Sequence, residues 1–364
     1  MQKILLYGAY GYTGRLLTGA ACSAGLDLIL AGRNEEKLRP LSDKFDFPYV
    51  VVSINETERL EEALSEVSIV LNAAGPFVYT AEPMMNACIK TKTHYLDITG
   101  EIGVFEQAKS QDIAAKKASI MLMPGVGFDV VPTDCVALYL KKQMPDATTL
   151  ELAFAPLGKA GASRGTALTM VENLGEAGAV RENGRIRREP IGKRTITLPY
   201  GDKRLLFLSI PWGDVSTAYF TTGIPNIVTY MGIAPRQYKW VRRQKYFNWL
   251  LRSGFVRKIA RSKINKGKDG PTVEERFGSK TIVFGKVTNK QGDKKEVRLL
   301  VPNGYDVTTA MAIRITKKIL DGDWKSGYQT PASCYTENLI LELEGVNWEL
   351  PVFLIEKINN DDEI

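Results

Sequence analysis

Apolar runs and amphipathic segments alternate through the first part of the chain. Residues 4–7 (Ile-Leu-Leu-Tyr) form an unbroken apolar run, and similar runs return at 27–31, 49–53, 68–72 and 119–124. Strands that read as continuous rather than alternating belong to a parallel sheet covered on both faces. Between them the apolar positions recur at helical spacing. Leu17, Ala20, Ala21 and Ala24 follow the first run; 35–45 is helical in pattern, and 56–66 turns Leu60, Ala63 and Leu64 inward. Further helices are predicted over 81–90 and, as one long element, over 102–117. Strand and helix in strict alternation predict a Rossmann-type doubly wound parallel α/β sheet over residues 1–144. After Met144 the rhythm changes. Strand-like runs at 149–155, 195–198 and 205–210, a helix beginning near Ser163, and a hairpin over 279–301 turned at 290–293 predict a second α+β domain, residues 145–304, built on an antiparallel sheet. A helix is expected from about Val307 to Leu320, and the acidic end, 359–364, is expected to fray.

Composition narrows the class. The chain has 364 residues, 44% hydrophobic and 24% charged, enough for two cores and too apolar for disorder. A strand starting at Ile4 leaves no room for the apolar segment of a signal peptide, so a cytoplasmic protein is expected. Cys22, Cys88, Cys135 and Cys334 stand far apart and read as reduced, buried thiols. The single histidine cannot complete a Cys/His zinc set, and no metal is assigned.

The candidate chemistry starts where the first strand ends. Gly8, Gly11 and Gly14 stand in “GAYGYTG” with Tyr10, Tyr12 and Thr13, and a helix follows. Strand, glycine turn and helix together present backbone N–H groups and a helix N-terminus to a dinucleotide pyrophosphate; the alternative is a structural tight turn. The second run ends in Gly32-Arg33-Asn34, where an NAD-binding chain would carry an acid for the ribose. Arg33 suits a 2′-phosphate instead, so NADP(H) is the expected cofactor; otherwise Arg33 is a solvated charge opening the next helix. The fourth run leads into Asn72 and then Ala73, Ala74 and Gly75, small residues at a carboxyl edge where a ribose and flat rings can approach, followed by Pro76 and Phe77 as further expected cofactor contacts.

These motifs carry a resemblance. “GAYGYTGR”, “AGRN”, “NAAGPF”, “HYLDITGE” (94–101) and “PGVGFDVVPTD” (124–134), in this order, resemble the NADP-binding domain of saccharopine dehydrogenase-like oxidoreductases. That group is similar to saccharopine reductases in its first domain and includes trans-acting enoyl reductases that act on lipid-bound substrates. The likeness covers residues 1 to about 140 and is looser at “ASRGTAL” (162–168) and “GYQTPAS” (327–333). It implies a Rossmann domain whose cofactor contacts include Gly100 and Gly127, and a second domain for substrate and dimerisation. It also implies that residues 305–364 return to pack on the first domain, and a two-electron reaction with NADP(H). It implies no particular substrate.

Catalytic signals are sparse. None of the fifteen tyrosines has lysine four residues on, which excludes the Tyr-x-x-x-Lys mechanism. His94 is a candidate, against a structural imidazole entering a strand. Asp97 and Glu101 could hold ribose or substrate, or cap the following helix. Asp129, after the last strong strand, would face the nicotinamide or cap the helix containing residues 135–140. Tyr79 is a further proton donor or pocket wall, and a water relay could replace a dedicated acid.

Charge is distributed unevenly. The net +7 hides a segment, 236–268, with twelve Lys/Arg and no acid, so the remainder carries −5 (+7 less 12). Six aromatics interleave with these cations, and Trp240, Phe247, Leu250, Leu251 and Phe255 are expected on one helical face. That pattern suits an anionic membrane surface or an acyl chain; the alternatives are a packed helix with a solvated face, or nucleic acid, for which no recognition pattern is present. The preceding 215–235 holds no charge and is too broken by Pro and Gly to span a membrane, so it reads as a pocket wall or strand. The expected function is NADP(H)-dependent reduction of a C=C or C=O/C=N bond in a hydrophobic, lipid-linked or other small-molecule substrate, by a cytoplasmic protein that is peripheral at a membrane. The alternatives are a saccharopine- or opine-type amino-acid dehydrogenase, for which Arg164, Arg181 and Arg194 are available, or a non-catalytic NADP(H) sensor or scaffold.

Overall fold

The computed structural model describes residues 3–349 except 159, 160 and 245 and the side chain of Arg242; the expected frayed end, 359–364, lies outside them. Strands β1 (Ile4–Tyr7), β2 (Leu28–Gly32), β3 (Tyr49–Val51), β4 (Ile69–Asn72), β5 (His94–Asp97) and β6 (Met121–Met123) make one parallel sheet in the order 3-2-1-4-5-6. That is the doubly wound order, with its reversal between β1 and β4. β1 is buried at every position because it lies mid-sheet: Ile4 pairs with Leu28 on one side and Ile69 on the other. A seventh strand, Gly327–Tyr328, joins the β6 edge in parallel from the far end of the chain. The helix before it, Gly304–Leu320, packs on the helix Tyr12–Ser23 and buries Val307, Met311, Ile315 and Ile319.

The second sheet comprises β7 (Thr149–Leu157), β8 (Gly178–Glu182), β9 (Arg185–Glu189), β10 (Thr195–Tyr200), β11 (Lys203–Ser209), β12 (Asn226–Ile233), β13 (Lys280–Thr288) and β14 (Lys294–Pro302). Its order is 10-11-12-7-13-14, with the β8–β9 ribbon attached to β12. The sheet is mixed, not purely antiparallel, because β12 runs parallel to β7 at its centre. The uncharged stretch supplies that strand and the buried helix Asp214–Thr222 before it. A centrally placed strand loses the apolar/polar alternation, so its direction was not legible. The helix Val131–Gln143 packs on β7, β13 and β14 of this sheet and on the helix Asp214–Thr222.

Three further expectations are corrected. The helix expected over 102–117 is two, Ile102–Ser110 and Asp112–Ala118, divided at Gln111. The basic segment is three helices, Pro235–Gln244, Asn248–Leu251 and Gly254–Asn265, so its aromatic residues do not share one helical face. Cys22 is exposed in the last turn of its helix, whereas the other three thiols are buried.

Candidate functional site

The carboxyl ends of β1 and β4 meet at the sheet's centre, and the two glycine-containing turns touch there. Gly8 has φ +82°, and a Cβ on it would stand 2.9 Å from Ala74 Cβ; a Cβ on Gly14 would stand 2.3 Å from the Gly8 carbonyl oxygen. The turn is thus too tight for any side chain at either place, and the backbone itself forms the surface. The helix Tyr12–Ser23 that starts from it has no side-chain cap at Gly11 and no acid in its first turn. Its leading N–H groups are left for an anion, which is the fit a pyrophosphate requires.

The neighbouring positions complete this edge. Arg33 is exposed just past β2, and its guanidinium has no hydrogen bond or ion pair among the described residues. Asn34 caps the next helix, accepting from Lys37 N–H at 3.0 Å. Tyr10 covers Gly32, and Lys37 Nζ lies 5.7 Å from the Tyr10 ring centre, a second cation near the expected 2′-phosphate that the sequence reading missed. Thr13 follows Tyr12 in the first turn of its helix. Tyr12 is held from the second domain: its hydroxyl donates to Pro271 O at 2.7 Å, and Arg15 pairs with Asp269 at 3.0 Å.

Beyond β4, Ala73, Ala74 and Gly75 lead to Pro76, and Phe77 opens a helix, Phe77–Thr91, longer than expected. Its first amides have an unexpected acceptor. Glu101 takes hydrogen bonds from Phe77 N–H at 2.9 Å and Val78 N–H at 2.8 Å, so it caps this helix instead of the one that follows it. Burial raises its pKa while the two bonds oppose that shift. Asp97, at the end of β5, is buried and accepts from the Tyr95 hydroxyl at 2.6 Å, Thr99 N–H at 2.9 Å and Gly125 N–H at 2.8 Å. It ties the β5 and β6 loops together, and burial raises it to about 7 against those bonds.

Asp129 stands against Gly100: a Cβ there would be 2.9 Å from Asp129 Oδ2. No side chain caps the helix Val131–Gln143, so the capping alternative for Asp129 falls away. Burial raises its carboxyl to about 7, and the charge on Glu101 adds to the effect. Trp212 donates from its indole N–H to the Asp129 carbonyl at 2.8 Å, and Thr308 lies beside Gly127 and accepts from Phe128 N–H at 3.0 Å. Both were missed; for Trp212 the local signal was a Pro-Trp-Gly turn closing an apolar run. Behind Trp212, buried Asp214 accepts from Thr133 at 2.6 Å and Asp134 from Thr221 at 2.6 Å, clipping the helix Val131–Gln143 to the helix Asp214–Thr222.

Tyr79 sits on the rim, exposed, its hydroxyl donating to Glu172 Oε2 at 3.1 Å. His94 is removed from the site. It lies at the amino end of β5, opposite the glycine turns, where Nδ1 accepts from Met121 N–H at 3.0 Å and the ring packs edge-on to Trp324. Burial lowers its pKa to about 4, so it is neutral. An open recess of about 640 Å³ lies elsewhere, lined by Leu60, Pro83, Asn86 and Lys90 on the outer helices, and does not adjoin these groups.

Fold and site together define a dinucleotide-binding protein with a second, mixed-sheet domain. Residues 4–123 match the family model of the saccharopine dehydrogenase NADP binding domain, and the cofactor of a domain of this kind is NADP(H). Among similar proteins is a trans-acting enoyl reductase of Mycobacterium ulcerans, 31% identical over 204 residues, 52% of this chain and 48% of that one. A saccharopine dehydrogenase-like oxidoreductase of Mus musculus is 28% identical over 204 residues, 49% and 47% of the two chains. The chain thus spans about half the length of the curated relatives it matches. The fold as a whole is that of the apo saccharopine dehydrogenase (L-Glu forming) from Saccharomyces cerevisiae, with a TM-score of 0.68 and 12% identity, covering 96% of this chain and 99% of that one.

Proposed function

We propose that the chain is an NADP(H)-dependent oxidoreductase that reduces a C=C, C=O or C=N bond of a hydrophobic, lipid-linked substrate. The observation that carries this reading is the state of the arginines. An amino-acid imine with several carboxylates needs free guanidinium groups, yet each of the three that the second domain's sequence offered for it is committed. Arg181 is buried against Val215 O, Gly184 O and Glu106; Arg194 holds Glu182 and Glu189; Arg164 pairs with Asp269. Exposed apolar side chains take their place around the rim: Val78, Tyr79 and, two residues before Glu172, Met170.

NADPH, when bound, supplies the hydride. The chain's residues hold and orient: the Gly8–Gly14 turn and the first amides of its helix receive the pyrophosphate, Arg33 and Lys37 the 2′-phosphate. On this reading Asp129, whose carboxyl burial raises to about 7, donates the proton that completes the reduction. The names of the two relatives, an enoyl reductase and an oxidoreductase, agree with this chemistry.

The test follows NADPH consumption with a long-chain α,β-unsaturated acyl thioester, a long-chain ketone, and a 2-oxo dicarboxylic acid mixed with an amino acid. Turnover of one of the first two is expected. Turnover of the third alone would establish the amino-acid dehydrogenase, and tight NADPH binding without turnover of any would favour the sensor.

A further inference from the structure

We propose that the lobe formed by helices Pro235–Gln244, Asn248–Leu251 and Gly254–Asn265 adsorbs to anionic lipid bilayers. The lobe divides its residues by direction. One set of cations faces the protein and fastens it: Arg252 Nε donates to Gly175 O at 2.9 Å, Arg257 to Leu174 O at 3.1 Å and to Glu176 at 3.0 Å, and Arg261 pairs with Glu172 at 2.6 Å. On the same side Val256, Ala260 and Ile264 are half-buried as their helix packs on Arg164–Glu172. The other set points away. Arg236, Lys239, Arg243, Lys258, Lys263 and Lys266 are exposed and have no acidic partner among the described residues.

The large rings point away as well. Trp240 is 72% exposed, Phe247 54%, Trp249 74% and Phe255 74%, with Ile259 one turn beyond Phe255. Single exposed apolar residues are ordinary, but four exposed rings among about thirty residues of one lobe are more than that. On helix Pro235–Gln244, Trp240 stands a turn from both Arg236 and Arg243, so ring and cations share one exposed face.

Charge complementarity selects the partner, because no acid occurs anywhere in 236–268. Tryptophan and phenylalanine between cations match the headgroup region of a membrane, where rings enter the acyl boundary and cations meet anionic phosphates. The rings are spread over three helices and form no stacked platform of the kind that receives nucleobases. The lobe is also joined to the rim of the candidate site, since Glu172 holds both Arg261 and the Tyr79 hydroxyl. Adsorption would bring that rim to the bilayer surface. The inference stands on the lobe alone and goes beyond the oxidoreductase reading.

The experiment is co-sedimentation of the full chain with vesicles of phosphatidylcholine alone and of phosphatidylcholine with phosphatidylserine. Binding is expected only with phosphatidylserine, weakening as salt rises, with a blue shift of tryptophan emission. The variant Trp240→Ser, Phe247→Ser, Trp249→Ser should lose at least about tenfold in vesicle binding with its melting and NADPH affinity unchanged. Absence of wild-type sedimentation at low salt overturns the proposal, as does undiminished binding by the folded serine variant or displacement of vesicles by an RNA oligonucleotide at equal phosphate. Should the serine variant fail to fold, Arg236→Glu, Lys239→Glu, Arg243→Glu decides, and wild-type binding by it overturns the proposal. Loss of NADPH binding or turnover with vesicle adsorption intact would count against the enzyme reading only.

Discussion

Arg33 and Asp129 show how differently two residues can be read. Arg33 follows an apolar run and a glycine turn thirty residues into the chain, so its type and spacing alone suggest a 2′-phosphate ligand. The structure leaves the guanidinium exposed at that edge. Arg33→Ala should remove most of the preference for NADPH over NADH, about tenfold to a hundredfold, since a charge-assisted contact is worth about 1.5–3 kcal/mol; equal wild-type affinities, measured by titration, would refute its role. Asp129 could have been cap or acid, and the uncapped helix after it removes the first alternative. Its folded pKa, about 7, lies above the unfolded value of 3.8. The folded state therefore holds the proton more tightly, and this carboxyl costs stability as pH rises from about 4 through about 7. Asp129→Asn should consequently gain thermal stability relative to wild type as pH increases over that window, with no relative gain below it. The same variant should lose the fall in kcat/KM expected near pH 7.

At the scale of elements, the start of helix Phe77–Thr91 is the informative case. Its first amides are satisfied by Glu101, twenty-four residues away, and no local capping signal exists in the sequence. Glu101→Gln replaces charged hydrogen bonds with neutral ones, a loss of about 1 kcal/mol. Hydrogen exchange should show the Phe77 and Val78 amides losing about fivefold in protection. Removing the charge should also move the Asp129 titration to lower pH; an unmoved midpoint would mean the two carboxyls do not communicate. Elements with a local cause were the legible ones: the glycine turn, the buried strands, and the β13–β14 hairpin with Lys290-Gln-Gly-Asp293 at its turn. Long segments were overread where one irregular residue, such as Gln111, divides a helical pattern.

Across the whole molecule, the first domain is not self-sufficient. The Gly304–Leu320 helix covers one of its faces and Gly327–Tyr328 one of its edges. Burying Val307, Met311, Ile315 and Ile319 at about 1.5–3 kcal/mol each contributes roughly as much as the 5–15 kcal/mol by which a domain is stable. A chain ending at residue 303 should therefore show no cooperative thermal transition by circular dichroism and no NADPH binding. A native-like melt would mean that the returning segment is dispensable.

What the sequence determined by itself was whatever depends on near neighbours: the parallel strands from their unbroken apolar runs, the tight turn after β1 from glycine spacing, and the concentration of positive charge in 236–268. Each follows from backbone sterics, burial or charge within a short window. The tertiary structure alone decided that His94 lies at the wrong end of its strand, that Glu101 serves a distant helix, and that β12 runs parallel to β7. It also decided that the three arginines are engaged and that Trp240, Phe247, Trp249 and Phe255 are exposed while Tyr238 packs inward. The physical reason is that end, partner and face are relations between segments far apart in the chain, and they are settled only when the sheets pack.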